Sequence, residues 1–216
     1  MAEIFIEPDQ LASADELAAL GLAHNPITAL LVPRPIAWIS TMSAAGVANL
    51  SPFSFCGMVS QAPPMLMFCA NASHGEGGDK DTLRNVRETG EFVFNLATWD
   101  LRNEMNASSA MIARACDEFD HAGLEKSSCR FIKAPRVARS PIALECVVVS
   151  IVDLPPDERS GQRNTATIGR VIGIHVDSGL VRNGIVDVMQ SQPLARLGYL
   201  DYATCADIFT MQRPPS

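Results

Sequence analysis

The sequence predicts a mostly β protein, a β-barrel with a few peripheral helices around one hydrophobic core. Two segments, 142–152 and 167–176, are dense in β-branched residues, which favours strands. A third segment, 36–54, alternates and turns at Gly46, which is typical of a β-hairpin. Short turns join the strands, and helices do not alternate regularly with them. A doubly wound parallel sheet is therefore disfavoured.

The hairpin carries many polar side chains for an apolar segment. Pro33 and Pro35 flank Arg34 ahead of the first strand, where a missing N–H breaks no ladder. Hydroxyl and amide groups then occur at Ser40, Thr41, Asn49, Ser51 and Ser54. Because buried polar groups need partners, these are either ordinary strand and turn residues or groups that share one polar ligand. We interpret Trp38 and Phe53 as core residues.

The remaining elements are predicted from caps, turns and apolar runs. Ser13 and Glu16 have the spacing of a capping box, which predicts one short helix that stops at Gly21. The other predicted elements are a buried strand over 65–70, a helix with Asp81 as its N-cap that ends near Gly90, a strand over 91–97 and a helix over 101–110.

Composition indicates one domain over residues 1–216, in which 1–25 form an N-terminal extension that contains the short helix. Hydrophobic residues make up 47% and charged residues only 19%, a lean surface that hints at burial against a second subunit. The net charge of −7, with scattered basic residues, argues against nucleic-acid and acidic-membrane partners. With neither a membrane-span pattern nor a signal-peptide pattern, we expect a cytoplasmic protein.

The six cysteines form no CxxC pair, and Cys56, Cys69 and Cys146 lie in apolar runs. This pattern predicts reduced and mostly structural thiols. The four histidines lie far apart without metal-ligand spacing, so no metal site is predicted.

A glycine-rich loop over 75–78 precedes Lys80, Asp81 and Thr82. Its spacing differs from the dinucleotide fingerprint, so one interpretation is a mobile loop followed by a plain helix cap. The alternative is a phosphate site, because a cation, a hydroxyl and unpaired N–H groups at a helix start are the groups that bind phosphate.

Short motifs in a shared order carry a further signal over most of the chain after about residue 25. They are Pro33-Arg34-Pro35-Ile36, Ser40-Thr41, Gly46, Asn49-Leu50-Ser51-Pro52-Phe53-Ser54, Pro63-Pro64, Lys80-Asp81-Thr82 with Asn85, Gly90-Glu91-Phe92, Glu118-Phe119, Ala122-Gly123-Leu124, Ala134-Pro135-Arg136-Val137, Pro141 to Cys146, Gly169-Arg170-Val171 and Arg196-Leu197-Gly198-Tyr199. With these motifs the chain resembles the flavin reductase-like family, the flavoredoxin branch of the FMN-binding split barrels.

The resemblance implies a Greek-key split β-barrel that forms a homodimer and holds FMN near the subunit interface. The cofactor-binding residues that it implies are Arg34, Ser40, Thr41, Asn49, Leu50, Ser51, Pro52, Phe53, Ser54, Lys80, Asp81, Thr82, Arg196 and Tyr199. Within this set, the segment from Lys80 to Thr82 corresponds to the phosphate grip. Two roles stay open for Arg34, a contact with the phosphate and a salt bridge across the dimer.

Two positions depart from the family pattern. Ser51 stands where many relatives have alanine, a small change that we expect to be tolerated. Tyr199 stands where relatives often have glycine, which leaves the contact beside the ring and the access of substrate open.

The residue types suit a flavin, whose ring is largely apolar with one polar edge. An apolar barrel wall can bury the ring, while hydroxyls and the backbone N–H groups of 49–54 can meet its polar edge. Hydride transfer to a flavin needs no protein nucleophile, so no catalytic acid or base is predicted. His74 and His121 are interpreted as ordinary core or surface residues.

The leading hypothesis is an enzyme, an oxidoreductase that moves hydride from NADH or NADPH to bound FMN and on to free flavin or another small acceptor. One alternative is an FMN-binding electron carrier that a protein donor reduces. Another is a reductase component that supplies reduced flavin to a monooxygenase. A barrel without any cofactor is the remaining interpretation, because fold does not fix function.

Overall fold

The computed structural model describes residues 3–11, 13–71, 73–205 and 207–214, and its main feature is one seven-stranded antiparallel sheet. The strands are β1 Arg34–Pro35, β2 Ala37–Met42, β3 Ala48–Phe53, β4 Cys56–Gln61, β5 Pro64–Asn71, β6 Glu91–Leu96, β7 Lys126–Ser127, β8 Arg136–Val137, β9 Ile142–Asp153, β10 Asn164–Val176, β11 Val181–Arg182, β12 Ile185–Val186, β13 Leu194–Arg196 and β14 Tyr202–Thr204. The α-helices are α1 Ala14–Ala19, α2 Ile27–Leu30, α3 Asp81–Thr89, α4 Arg102–Ala107 and α5 Glu118–His121.

The main sheet has the order β3-β2-β6-β9-β10-β5-β4, and a small sheet has the order β1-β13-β14. The predicted hairpin is β2–β3, in which Ala37 pairs with Phe53 and Met42 with Ala48. The long strands β9 and β10 pair along almost their full length. The mostly β split-barrel architecture that the sequence predicts is confirmed.

Aromatic side chains fill the centre of the barrel. Phe68 lies between Phe53 and Phe92, with ring centroids 5.0 and 5.2 Å apart. Trp38 is fully buried, and its indole N–H donates to the Ser108 hydroxyl at 2.9 Å. The interpretation of Trp38 and Phe53 as core residues is confirmed.

Local sequence signals predict the start of α1 and the end of α3. The capping box of α1 is present, because the Ser13 hydroxyl accepts from the Glu16 N–H at 3.2 Å while the Glu16 carboxylate accepts from the Ser13 N–H at 2.9 Å. The sequence predicts that α3 stops near Gly90, and Gly90 is its C-cap, in the left-handed conformation.

Other predictions need correction. Asp81 is not the N-cap of α3 but its first helical residue, and Lys80 occupies the N-cap without a side-chain hydrogen bond. The carboxylate of Asp81 instead pairs with the Arg114 guanidinium, which draws it away from the helix end. Helix α4 ends at Ala107 rather than 110, β6 ends at Leu96 rather than 97, and β10 begins three residues earlier than predicted.

The segment before β1 is fastened to the small sheet. The Arg34 guanidinium donates to the carbonyl oxygens of Thr28, of Leu31 at 3.1 Å and of Leu197 at 3.0 Å. Gly198 lets α2 approach closely, because a Cβ atom there would lie 2.8 Å from the Cα of Ala29. These contacts place α2 beside the candidate site.

Candidate functional site

Two cavities meet at Lys80, at the N-terminal end of α3. The smaller one has a volume of about 60 Å³ and a polar lining, and the larger one has a volume of about 530 Å³. Lys80 and Ser109 line both. The two therefore form one elongated site with a small polar end and a wide end.

Helix α3 positions the small end. Its first residues, Asp81 and Thr82, line the cavity, and the N-terminal N–H groups of a helix are free to bind an anion. The other lining residues are Asn49, Ser51, His74, Lys80, Ser108, Ser109, Ala110, Met111, Ile112 and Glu118.

Lys80 is the cation of this site. Burial lowers the pKa of its ammonium group, because the charged form loses contact with water. Within the described residues, the ammonium group has no hydrogen-bond or ion-pair partner, and burial alone shifts its pKa. A half-buried cation without a counterion is electrostatically costly, and an anion in the cavity would relieve that cost.

Arg114 neutralises Asp81 and, together with His74, orders the glycine-rich loop. Arg114 pairs with the Asp81 carboxylate and donates to the carbonyls of Gly77 at 2.7 Å and Asp79 at 2.9 Å. The His74 imidazole lies 3.4 Å from the same carboxylate. Residues 74–78 form a turn in which the His74 N–H donates to the Gly78 carbonyl at 3.0 Å. Arg114 compensates the negative charge of Asp81 before any ligand arrives.

Thr41, Asn49, Thr82 and Asn85 form one buried hydrogen-bond network. The Asn49 Oδ1 accepts from Thr41 Oγ1 at 3.2 Å and from Thr82 Oγ1 at 2.7 Å. Asn85 Nδ2 donates to Thr41 Oγ1 at 3.0 Å. The network joins the β2–β3 hairpin to α3, so it fixes both walls of the small cavity relative to each other.

Ser40 and Asn95 hold the other side of β2. The Ser40 hydroxyl is fully buried, donates to the Pro135 carbonyl at 2.6 Å and accepts from Asn95 Nδ2 at 3.1 Å. Asn95 also accepts from the Val137 N–H at 2.8 Å. The hydroxyl of Ser40 is therefore engaged within the barrel wall.

Glu118 is a buried acid beside the small cavity. Its carboxylate accepts from the Leu50 N–H at 3.2 Å. Burial raises the pKa of Glu118, and hydrogen bonds from the backbone and Asn49 only partly offset that effect. The carboxyl therefore stays protonated to a higher pH than an exposed glutamate does.

The wide cavity combines an apolar wall with positive charge. The end of β3 and the following turn supply Pro52, Phe53 and Ser54, and the lining cations are Arg34, Lys80 and Arg196. No acidic residue of the described chain lines this cavity. In a chain of net charge −7, such a cavity is suited to an anionic ligand.

Most of the predicted site residues lie around this elongated site. Those that line a cavity are Arg34, Asn49, Ser51, Pro52, Phe53, Ser54, Lys80, Asp81, Thr82, Arg196 and Tyr199. Ser40, Thr41 and Leu50 are fully buried and line neither cavity. Their positions are those of supporting residues, which orient the neighbours that do face the cavities.

Arg34 has a use that the sequence interpretation did not weigh. Its guanidinium donors go to three backbone carbonyls and to the Ser54 hydroxyl at 3.5 Å, all within one subunit. It contributes charge to the wide cavity while it binds the N-terminal segment.

Glu118, Arg114 and His74 line or support the site but are missing from the predicted set. Glu118 belongs to the Glu118-Phe119 motif, so the family resemblance could have indicated it as a site residue. Arg114 had no local signal, because its partners lie more than thirty residues earlier in the chain.

The fold also brings together Cys129, Glu145 and His175, whose donor atoms lie within 4.8 Å of one another. The spacing of the histidines in the sequence did not predict this cluster. The Glu145 carboxylate already accepts from the N–H groups of Arg130 at 2.8 Å and Phe131 at 2.7 Å, and lies 2.6 Å from His175 Nε2. These bonds hold the loop at Arg130 and Phe131 against β9 and β10. Burial raises the pKa of the Cys129 thiol to about 12, which disfavours its thiolate.

Among the helices in the described part of the chain, none combines the length and apolar character needed to span a bilayer.

Comparison with known proteins gives a consistent result. A family model described as "Flavin reductase like domain" matches residues 29–198. The uncharacterized protein BH2278 of Halalkalibacterium halodurans is 32% identical over 210 residues, which is 97% of this chain and 96% of that protein.

Two solved structures illustrate the similarity in fold. Nitrilotriacetate monooxygenase component B from Bacillus cereus superposes with a TM-score of 0.85 at 26% identity, and the match covers 98% of this chain and 100% of that one. A putative flavin reductase with a split barrel domain from Shewanella frigidimarina superposes with a TM-score of 0.74 at 21% identity, covering 87% of this chain and 90% of that one.

Proposed function

Because the chain belongs to the flavin reductase-like family, we propose that it is an FMN-binding oxidoreductase whose two joined cavities hold one FMN. The observation that carries the proposal is Lys80, a half-buried cation without a described partner at the junction of the cavities. A ligand with a phosphate at one end and a flat apolar ring at the other matches both the charge and the shape of this site.

The small cavity fits the phosphate. Lys80 supplies a charge, and the first backbone N–H groups of α3, that of Thr82 among them, supply donors, because the Thr82 hydroxyl already donates to Asn49. Ser51 and Ser109 add hydroxyls to the lining. Asp81 is compatible with this assignment because Arg114 already neutralises it.

The wide cavity fits the ring. Its volume of about 530 Å³ lies within the ~300–1,000 Å³ that is usual for small-molecule sites. Pro52 and Phe53 offer apolar surface, while the backbone N–H groups of this strand end can meet the polar edge of the ring. We therefore assign Ser40, Thr41 and Leu50 to the support of this wall rather than to direct contact.

Bound FMN would supply the redox chemistry, accepting hydride from NADH or NADPH and passing electrons to free flavin or another small acceptor. The residues of the chain have the tasks of binding, orienting and excluding water. Lys80 neutralises the phosphate, the β3 wall orients the ring, and the network of Asn49 and Thr82 keeps these two elements in register. We assign no protein group as catalytic acid or base.

We further propose that residues 1–216 act as one domain that forms a homodimer in the cytoplasm. Large apolar side chains are exposed on β4, β9 and β10, among them Met58, Val149 and Ile174. An apolar surface of this kind is typical of a face that a second subunit covers. Six free cysteines are compatible with a reducing compartment.

A second candidate is favoured by one observation. The chain matches component B of a monooxygenase over its full length at 26% identity. A reductase component releases reduced flavin to a partner, so rapid exchange of bound FMN would indicate this function rather than self-contained turnover.

The test is an anaerobic absorbance titration of the purified protein loaded with FMN. We expect a protein-bound flavin band that bleaches on addition of NADH or NADPH. A bound flavin that neither nucleotide reduces would refute the reductase function and leave only FMN binding. Absence of any bound flavin would refute the assignment of both cavities.

A further inference from the structure

Two arginines face each other across the small sheet at the edge of the wide cavity. In the β1–β13 ladder, Arg34 is directly opposite Arg196, and both residues line the cavity. Like charges directly opposite in an antiparallel pair are destabilising. A cost of this kind is expected where an anion binds between or beside the two charges.

The two guanidinium groups are not equivalent. Arg34 is buried, and its guanidinium donates to the backbone carbonyls of Thr28 and Leu197. Arg196 is more exposed, and its described bonds go only to the Tyr202 hydroxyl and the Tyr199 carbonyl. A guanidinium has more donors than these two, so Arg196 keeps capacity for a ligand.

Aromatic rings surround Arg196 at the mouth of the cavity. Its guanidinium carbon lies 4.4 Å from the centroid of the Tyr202 ring, a cation–π arrangement that fixes the charge in place. The ring of Tyr199 lies against the imidazole of His24, with centroids 5.6 Å apart. Both tyrosines line the cavity.

Tyr199 occupies an unusual backbone conformation. Its φ of +56° lies in the left-handed region, which favours glycine and is rare for a bulky residue. The Arg196 bond to its carbonyl and the contact with His24 hold it there. An aromatic residue held in such a strained conformation at the mouth of a cavity points to a role for its ring.

We propose that Arg196, Tyr199 and Tyr202 form the co-substrate subsite of the wide cavity, which takes a planar ring that carries an anionic group. Tyr199 covers the ring of the co-substrate, and Arg196 binds the anionic group of the same molecule. Among the candidate co-substrates, the nicotinamide dinucleotides have this chemistry, with their pyrophosphate and their flat base. The inference rests on the proposed function. It assigns Arg196 and Tyr199 to the co-substrate rather than to FMN, whose phosphate Lys80 binds where the two cavities meet.

The test compares three variants of the full-length protein loaded with FMN. Arg196→Gln removes the charge, and Tyr199→Gly removes the ring while it relieves the positive φ. Arg102→Gln is the matched control, because Arg102 also stacks on an aromatic ring, at 4.1 Å from the Trp99 centroid, and lines neither cavity. Each variant is measured for FMN affinity, for thermal stability and for KM and kcat with NADH and NADPH.

We expect Arg196→Gln to raise the KM for the nucleotide roughly tenfold or more, while FMN affinity changes little. The KM of the wild-type protein should rise with ionic strength, and this dependence should be weaker in Arg196→Gln. Tyr199→Gly should raise KM without lowering the melting temperature, which a purely structural role for the ring would not produce. As a readout without turnover, oxidised NAD⁺ or NADP⁺ should perturb the absorbance of bound FMN in the wild type and in Arg102→Gln, and less in the other two.

The inference is overturned if KM stays within about twofold of wild type in Tyr199→Gly, or in a folded Arg196→Gln that retains FMN. If Arg196→Gln does not fold, Tyr199→Gly decides the matter, since glycine adopts the native φ without strain. Failure of both nucleotides to reduce the wild-type flavin would instead refute the proposed function, and the subsite with it. Reduction of the wild type with unchanged variants would refute the subsite alone.

Discussion

The side-chain oxygen of Asn49 lies 2.7 Å from the hydroxyl of Thr82, and this bond joins β3, the strand proposed to contact the flavin ring, to α3, the helix proposed to bind the phosphate. The same oxygen accepts from Thr41. One amide therefore satisfies two hydroxyl groups that are both withdrawn from water.

Replacing Asn49 by alanine should leave the hydroxyls of Thr41 and Thr82 without their acceptor. We expect a loss of about 2–4 kcal/mol in the free energy of unfolding, the cost of leaving such groups unsatisfied in a buried site. Chemical denaturation of the cofactor-free protein measures it. Asn103→Ala is the control, since Asn103 is exposed on α4, and an equal effect of the two substitutions would contradict the network.

Lys80→Ala should weaken FMN binding by about 1–3 kcal/mol, because a charge-assisted contact with the phosphate is lost. Quenching of flavin fluorescence on titration into apoprotein gives the dissociation constant. Lys133→Ala removes the same charge from an exposed position elsewhere, and it should bind FMN like the wild type.

The affinity of the wild type for FMN should also fall at alkaline pH earlier than an ordinary lysine would predict, because burial lowers the pKa of Lys80. Unchanged affinity in Lys80→Ala would remove Lys80 from the phosphate site. Equal weakening in Lys133→Ala would point to a general effect of charge instead.

Glu118 should make the protein less stable as pH rises. A carboxyl whose folded pKa is raised above its ordinary value of 4.5 contributes stability below that value, and this contribution is lost as pH rises through the folded pKa. Glu118→Gln cannot ionise and can still accept from the Leu50 N–H. Its melting temperature relative to wild type should therefore increase from acidic pH to about pH 8.

The same substitution should strengthen FMN binding at high pH, because it removes a carboxylate from the cavity proposed to hold the phosphate. Glu125→Gln, at an exposed position, serves as the control. A difference in melting temperature that does not change with pH would show that ionisation of Glu118 has no part in stability.

Gly198→Ala should loosen α2 and the mouth of the wide cavity. The added Cβ would lie 2.8 Å from the Cα of Ala29, so backbone has to move, at a cost of about 1–3 kcal/mol. Gly57→Ala adds the same methyl group in a strand where no atom lies within 4 Å. Denaturation midpoints of the two variants should differ clearly, and equal midpoints would mean that α2 does not rest on Gly198.

Much of the fold could be predicted because its signals are local. The capping box of Ser13 and Glu16 spans four residues, and the β2–β3 hairpin needs only alternation and a turn at Gly46. Strands β9 and β10 follow from their β-branched composition. Such patterns act over one turn or one strand, so a single sequence contains them completely.

Most of the site residues that the motifs indicated line the joined cavities, and the motifs also indicated the family to which the chain belongs. They could not separate a residue that faces a cavity from one that supports it. Ser40 supports the wall because its hydroxyl donates to the carbonyl of Pro135, which lies 95 residues later in the chain. Thr41 supports it because its hydroxyl bonds to Asn49 of β3 and Asn85 of α3.

Tertiary contacts decided the rest. The sequence predicts Asp81 as a helix cap, but its carboxylate pairs with Arg114, which is 33 residues away in the chain. One of the carbonyl acceptors of Arg34 is that of Leu197, which is 163 residues away. The pairing of Arg34 with Arg196 and the left-handed Tyr199 likewise exist only once β1 and β13 meet. The main strands, their turns and the order of the motifs could be predicted from the sequence, because these depend on neighbouring residues. Only the folded chain determined where the charges lie, because burial and partner choice depend on residues that are distant in sequence.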